Sequence, residues 1–136
     1  MITIRKDSCV IMYSENIPYT RIDLYDLFTA AQFQEKLSNP KLYELFTGHN
    51  VENVLLNLSR AWRVGTEDLN WMENTWLLKL SEAGIKKLSI VTSSQVYGLF
   101  INVFNDIEKK VNNQSVEVHF FQDYQFDNGW EAINWF

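Results

Sequence analysis

The segment that most constrains the fold lies in mid-chain. Val54-Leu55-Leu56-Asn57-Leu58 is a nearly continuous apolar run, and Thr66-Glu67-Asp68 follows after a short connection. Such a run reads as a central strand covered on both faces. From Thr66 to Ala83, Leu69, Met72, Trp76, Leu77 and Leu80 recur at the helical period. A strand that feeds an amphipathic helix is the unit of an α/β sheet. It also brings helix N-terminal amides to the carboxyl end of the strand, where open α/β sheets hold their ligands.

The remaining chain fits that unit. Ser8 to Tyr13 predicts a first strand. Arg21 to Tyr25 predicts a second, with Ile22 and Leu24 on one face. Thr29 and Gln32 form a capping box, with Phe28 and Phe33 placed as a hydrophobic staple, so a helix runs to about Leu37. Asn39-Pro40 starts another, with Leu42, Leu45 and Phe46 on its apolar face and Gly48 at its end. Thr66 is the expected cap of the central helix, and Gly84 with Ile85 its Schellman-type stop.

Lys87 to Thr92 is a fourth strand, and Ser94 opens a helix carrying Phe100, Val103, Phe104 and Ile107. Val116 to Phe121 is a fifth strand, and a short helix from about Asp127 to Trp135 closes the chain. The expectation is one α/β domain over residues 1–136, ordered β-β-α-α-β-α-β-α-β-α. Its sheet is five-stranded and mostly parallel, with an antiparallel first strand and helices on both faces.

Composition narrows the function. The chain has 136 residues, 46% of them hydrophobic, and a net charge of −5. That suits a folded core and argues against nucleic acid as a partner, since phosphates call for a basic surface. The lone Cys9 sits in the apolar run Cys9-Val10-Ile11-Met12, which predicts a buried thiol rather than a nucleophile. The opening residues lack the apolar stretch of a signal peptide, and no run approaches membrane-spanning length. A cytoplasmic protein without an integral membrane segment is expected.

Two stretches carry a resemblance. One is Val54-Leu55-Leu56-Asn57-Leu58-Ser59 with the helix from Thr66. The other is Ala83-Gly84-Ile85-Lys86-Lys87-Leu88-Ser89-Ile90-Val91, with Glu117-Val118-His119-Phe120-Phe121 and the ending Glu131-Ala132-Ile133-Asn134-Trp135-Phe136. Together they resemble the STAS/SEC14-like families, relatives of the bacterial anti-sigma factor antagonists, and in particular uncharacterised bacterial members ending Phe-x-Asp…Glu-Ala-x-x-Trp-Leu. The resemblance implies a STAS-like fold. The antagonists carry an Asp-Ser-Ser-Gly-like motif whose serine is a phosphorylation switch. This chain has Gly65-Thr66-Glu67-Asp68 there. A phosphate on Thr66 would meet two carboxylates, so no such switch is expected.

No Walker loop, G-x-G-x-x-G, C-x-x-C or H-E-x-x-H motif is present. No catalytic set, cofactor or metal site is expected, and His49 and His119 are taken as structural. The strand carboxyl ends present Asn57, Ser59, Arg60, Arg63, Thr66, Thr92 and Ser93 as the candidate ligand or partner site. Arg60 and Arg63 beside a helix N-terminus could hold an anion. Against that, Glu67 and Asp68 already answer both dipole and arginines, and the hydroxyls also fit as caps. Trp62 and Trp71 fit the helical stripe less well than Trp76, which makes them candidate interface rings.

The reading that follows is a non-enzymatic STAS-like interaction module, binding a protein partner or itself as a homo-oligomer. The alternative is a SEC14-like carrier of a small apolar ligand, suggested by the 15% aromatic content. The weakest is a hydrolase-type enzyme centred on Ser59, Arg60 and Thr92.

Overall fold

The computed structural model describes residues 1–27, 29–61, 64–111, 116–123 and 130–136. Six strands form one mixed sheet in the order β1-β2-β3-β4-β5-β6. They are β1 (Ile2–Lys6), β2 (Cys9–Tyr13), β3 (Thr20–Tyr25), β4 (Asn53–Arg60), β5 (Lys87–Ser93) and β6 (Glu117–Asp123). β1, β2 and β3 pair antiparallel, and β3 through β6 are parallel.

The sheet thus has one strand more than the five expected. Ile2–Lys6 alternates apolar and polar residues, but its charged members and exposed position hide the pattern. It forms because Asp7-Ser8 folds it back onto β2, with Ser8 in the left-handed region at φ 63°. Ser8 therefore belongs to the turn and not to the strand.

The helices are α1 (Ala30–Leu37), α2 (Pro40–Gly48), α3 (Thr66–Trp71), α4 (Leu77–Glu82), α5 (Ser94–Val111) and α6 (Trp130–Trp135). Strands β3 to β6 advance in one direction, so right-handed crossovers place α1 to α5 on a single face. The main core lies there. Ile22, Leu56, Ile90 and Val118 from the strands meet Phe33, Phe46, Trp76 and Phe104 from the helices, all buried. Phe104 stacks on Phe120 with ring centroids 4.1 Å apart. Among the described residues the second face carries α6, where Ala132 packs on Leu55 and Val91. The Ser89 hydroxyl donates to the Ala132 carbonyl at 3.2 Å and ties α6 down. Helices do lie on both faces, but very unequally.

Several local signals behave as the residues dictate. The Gln32 side chain accepts the Thr29 N–H at 3.0 Å, and Asn39 accepts the Lys41 N–H at 3.1 Å. Phe28, the other half of the staple, lies outside the described residues. Gly84 takes φ 91°, and Ile85 N–H reaches the Leu80 carbonyl at 3.0 Å, a Schellman stop. Gly48, expected to end α2, is still helical. Asn50 supplies the left-handed residue at φ 52°, and Val51 N–H closes on the Phe46 carbonyl.

The central helix departs from expectation twice. Its start is capped by Gly65, whose extended backbone precedes Thr66, the first helical residue. The capping oxygen comes from Asp68, which is buried and accepts the Gly65 N–H at 3.1 Å. Thr66 is therefore no cap. Between α3 and α4, Met72–Trp76 forms a π-helical turn, one wider coil within a continuous rod. Met72 and Trp76 on it remain fully buried.

A side chain meets one amide on the outer edge of β6. Glu108 of α5 accepts the Phe120 N–H at 2.8 Å, and the same oxygen lies 3.3 Å from His119 Nδ1. The histidine also stacks on Trp135. No helix among the described residues is long and apolar enough to cross a membrane.

Candidate functional site

Side chains alternate along each strand, so the residues not committed to the main core face the side that bears α6. Strand pairing puts them in rows. Arg5 faces Val10, Val10 faces Asp23, Asp23 faces Asn57, and Asn57 faces Val91. Beside this row, Met12 faces Arg21 and Arg21 faces Leu55. Where α6 does not reach, these rows floor a cleft of about 570 Å³. Tyr25, Ser59, Arg60 and Asp123 at the strand carboxyl ends complete its wall.

A register shift shapes that wall. Asp23 pairs with Asn57, but Tyr25 pairs with Arg60, so β4 carries one extra residue. A bulge of this kind breaks the ladder and re-aims the residues after it. It also frees a backbone amide, and the Asn57 side chain answers it: Oδ1 accepts the Ser59 N–H at 3.1 Å. The Asn57 amide group keeps its own two N–H donors for other partners. Beyond the bulge, the Arg60 carbonyl accepts the Asp26 N–H at 3.2 Å, and Asp26 turns left-handed at φ 52°.

The charge of the cleft runs against that of the chain. Among the described residues its lining holds Arg5, Arg21 and Arg60 with Asp23 and Asp123, one positive charge in excess, while the protein carries −5. Arg21 is satisfied within the wall, its Nε lying 2.9 Å from Asp23 Oδ1. Arg5 and Arg60 are exposed at the two rims and make no ion pair among the described residues.

Three of the expected site residues, Asn57, Ser59 and Arg60, come together here. Thr92 does not. It shares the face of Leu88 and Ile90, is buried in the helical side, and its hydroxyl has no hydrogen-bond partner among the described residues. The Ser59–Arg60–Thr92 grouping that a hydrolase would use is therefore split across the sheet. Ser93 is a helix cap, its Oγ accepting the Val96 N–H at 3.2 Å. Thr66 is exposed on the first turn of α3 and does not line the cleft. Arg63 and Trp62 lie outside the described residues. Trp71, expected as an exposed ring, is half-buried and packs edge-on against Phe33 with centroids 6.1 Å apart.

Arg5, Arg21, Asp23 and Tyr25 were not anticipated as site residues. The signal for three of them is the alternation of β3, since Ile22 and Leu24 inside leave Arg21, Asp23 and Tyr25 outside. Arg5 becomes visible only once β1 is recognised as a strand.

On the other side of the β1–β2 hairpin, a cleft of about 260 Å³ is lined by Ile4, Cys9, Ile11, Lys36 and Pro40 among others. Burial pushes the Cys9 thiol up to about 11, with Lys36 pulling weakly the other way. A protonated thiol at neutral pH is a poor nucleophile. Among the described residues no group of three His, Cys, Asp or Glu could hold a metal ion. No family model and no curated protein matches the sequence, and no solved structure matches the fold.

Proposed function

We propose that the chain is a non-catalytic interaction module of the STAS-like kind, which grips an anion-bearing segment of a partner protein in the cleft on its sparsely covered face. The observation that carries this reading is the convergence of Arg5, Arg21 and Arg60 in one cleft of an acidic protein. Arginine presents a planar fork of donors suited to carboxylates and phosphates. Asn57 adds donors between the arginines, held in place by its bond to the bulge.

Two features support binding over the alternatives. Among the described residues the cleft's lining holds no histidine or lysine, and its Asp23 is engaged by Arg21. Its floor mixes Arg, Asp and Asn with the apolar residues, a poor match to a purely apolar ligand.

Amide NMR titration of the full chain with an oligoglutamate peptide at low salt tests the reading. Shifts are expected at Arg5, Arg21, Asn57 and Arg60, and they should be lost in an Arg21→Gln/Arg60→Gln variant. Shifts scattered over the surface, or none, would remove the reading.

A further inference from the structure

We propose that β1 is the pairing strand of a two-fold dimer, lying antiparallel to β1 of a second copy with Ile4 opposite Ile4. The proposal stands apart from the cleft reading and rests on the two edges of the sheet. Strands at both edges offer unpaired backbone groups, and native proteins usually protect them. At the β6 edge the Glu108 carboxylate occupies one outward amide, the Phe120 N–H, at 2.8 Å. Nothing comparable meets β1 among the described residues, and its burial is exposed at every residue but Ile4.

The hairpin geometry says which groups are free. Asp7-Ser8 is a two-residue connection between the paired Lys6 and Cys9. A two-residue hairpin closes on a hydrogen-bonded pair, and such pairs alternate along the ladder. Lys6, Ile4 and Ile2 are thus turned toward β2. Thr3 and Arg5 turn their N–H and C=O outward.

With Ile4 on the two-fold axis, Thr3 of each copy faces Arg5 of the other. Both residues of that pair have outward groups, so each pair can exchange both its bonds. A shift of one residue would break that match. The register also keeps like charges apart, because Arg5 meets Thr3 and Lys6 meets Ile2.

The side chains agree. Ile2 is 37% exposed and Ile4 is half-buried at the mouth of the cleft it shares with Cys9 and Pro40. Ile4 packs only in part against the helical core. In the dimer, Ile4 packs on Ile4 across the axis. That axis is perpendicular to the sheet, so both arginine-lined clefts open to the same side. Pairing the same strand about a two-fold axis uses up the β1 edge of both copies, which gives a closed dimer rather than a filament.

Sedimentation velocity of the full chain over a concentration series tests this. The expected result is a reversible monomer–dimer equilibrium. Thr3→Glu, placed opposite Arg5, should tighten it about fivefold, and Thr3→Lys should weaken it about fivefold. Adding Arg5→Glu to Thr3→Lys should restore it. Thr3→Pro, which removes an outward N–H at an edge position that tolerates proline, should give monomer. Should Thr3→Pro fail to fold by circular dichroism, the charge series decides alone. A wild-type protein that stays monomeric to its solubility limit would overturn the proposal. So would a dimer indifferent to the charge series.

Discussion

Asn57 Oδ1 lies 3.1 Å from the Ser59 backbone nitrogen, so one side chain of β4 repairs the gap that the bulge opens two residues later. The bond is partly buried and lies where the β3–β4 register shifts. Asn57→Ala should therefore destabilise the fold by about 1 kcal/mol in urea denaturation. Asn53→Ala removes an exposed bond to the Pro18 carbonyl and should cost less. Equal losses from the two would show that the bulge amide does not depend on Asn57.

The start of α3 gives the second prediction. Asp68 accepts the Gly65 N–H, while Thr66 is exposed one residue inside the helix. Thr66→Ala should stay within about 0.5 kcal/mol of wild type, as surface changes away from a cap do. Asp68→Ala removes a buried charged acceptor at a helix N-terminus and should cost roughly 1.5–3 kcal/mol. A Thr66→Ala loss as large as that of Asp68→Ala would return the cap to Thr66.

Alkaline pH should weaken the fold. Burial pushes Cys9 from 9.0 up to about 11 and Tyr43 from 10.0 up to about 12. Both groups are neutral when protonated, and the folded state favours that form. Their contribution is fully present below the unfolded values. It is lost as pH rises through the folded ones, from about 9 to 12. The melting temperature should fall over that window, and Cys9→Ala should flatten its lower part. A thiol reagent should label Cys9 at pH 7 only after unfolding. Rapid labelling of the native protein would contradict the burial argument.

Glu108 supplies the fourth prediction. Glu108→Ala leaves the Phe120 N–H without its acceptor and should cost about 1–3 kcal/mol. It also unprotects the β6 edge. Light scattering should then show species growing with concentration, because both ends of the sheet could pair. Glu108→Gln keeps an acceptor and should stay close to wild type. An Ala variant that loses stability without growing would mean that some other feature guards the edge.

Much of the fold was legible because it follows local rules. Apolar periodicity located β4, the helix from Thr66 and α5, and Gly84 with Ile85 marked a stop that geometry alone requires. Non-local effects were less visible. β1 is a strand because β2 lies beside it, and its five residues carry no strong signal of their own. Thr66 was favoured as a cap by residue type, yet the oxygen came from Asp68 three residues beyond Gly65. The π-helical turn left no trace in the spacing, since Met72 and Trp76 are buried either way.

At the candidate site, Asn57, Ser59 and Arg60 were found because ligands gather at strand ends. Thr92 was included for its hydroxyl, although its parity with Leu88 and Ile90 places it inside. Parity along a strand was the better guide to position than chemical type.

The uneven covering of the sheet separates two kinds of sequence constraint. On β3, Ile22 and Leu24 answer to the packed helices, while the alternate residues Arg21 and Asp23 answer to each other and to the cleft they line. Neighbouring residues on one strand are thus free to diverge at different rates. The charged positions of the cleft can be rewritten one by one, while the residues that hold the helices, Leu55 and Val91 under α6 among them, stay as they are. A chain built this way can keep its architecture while the surface of its cleft changes.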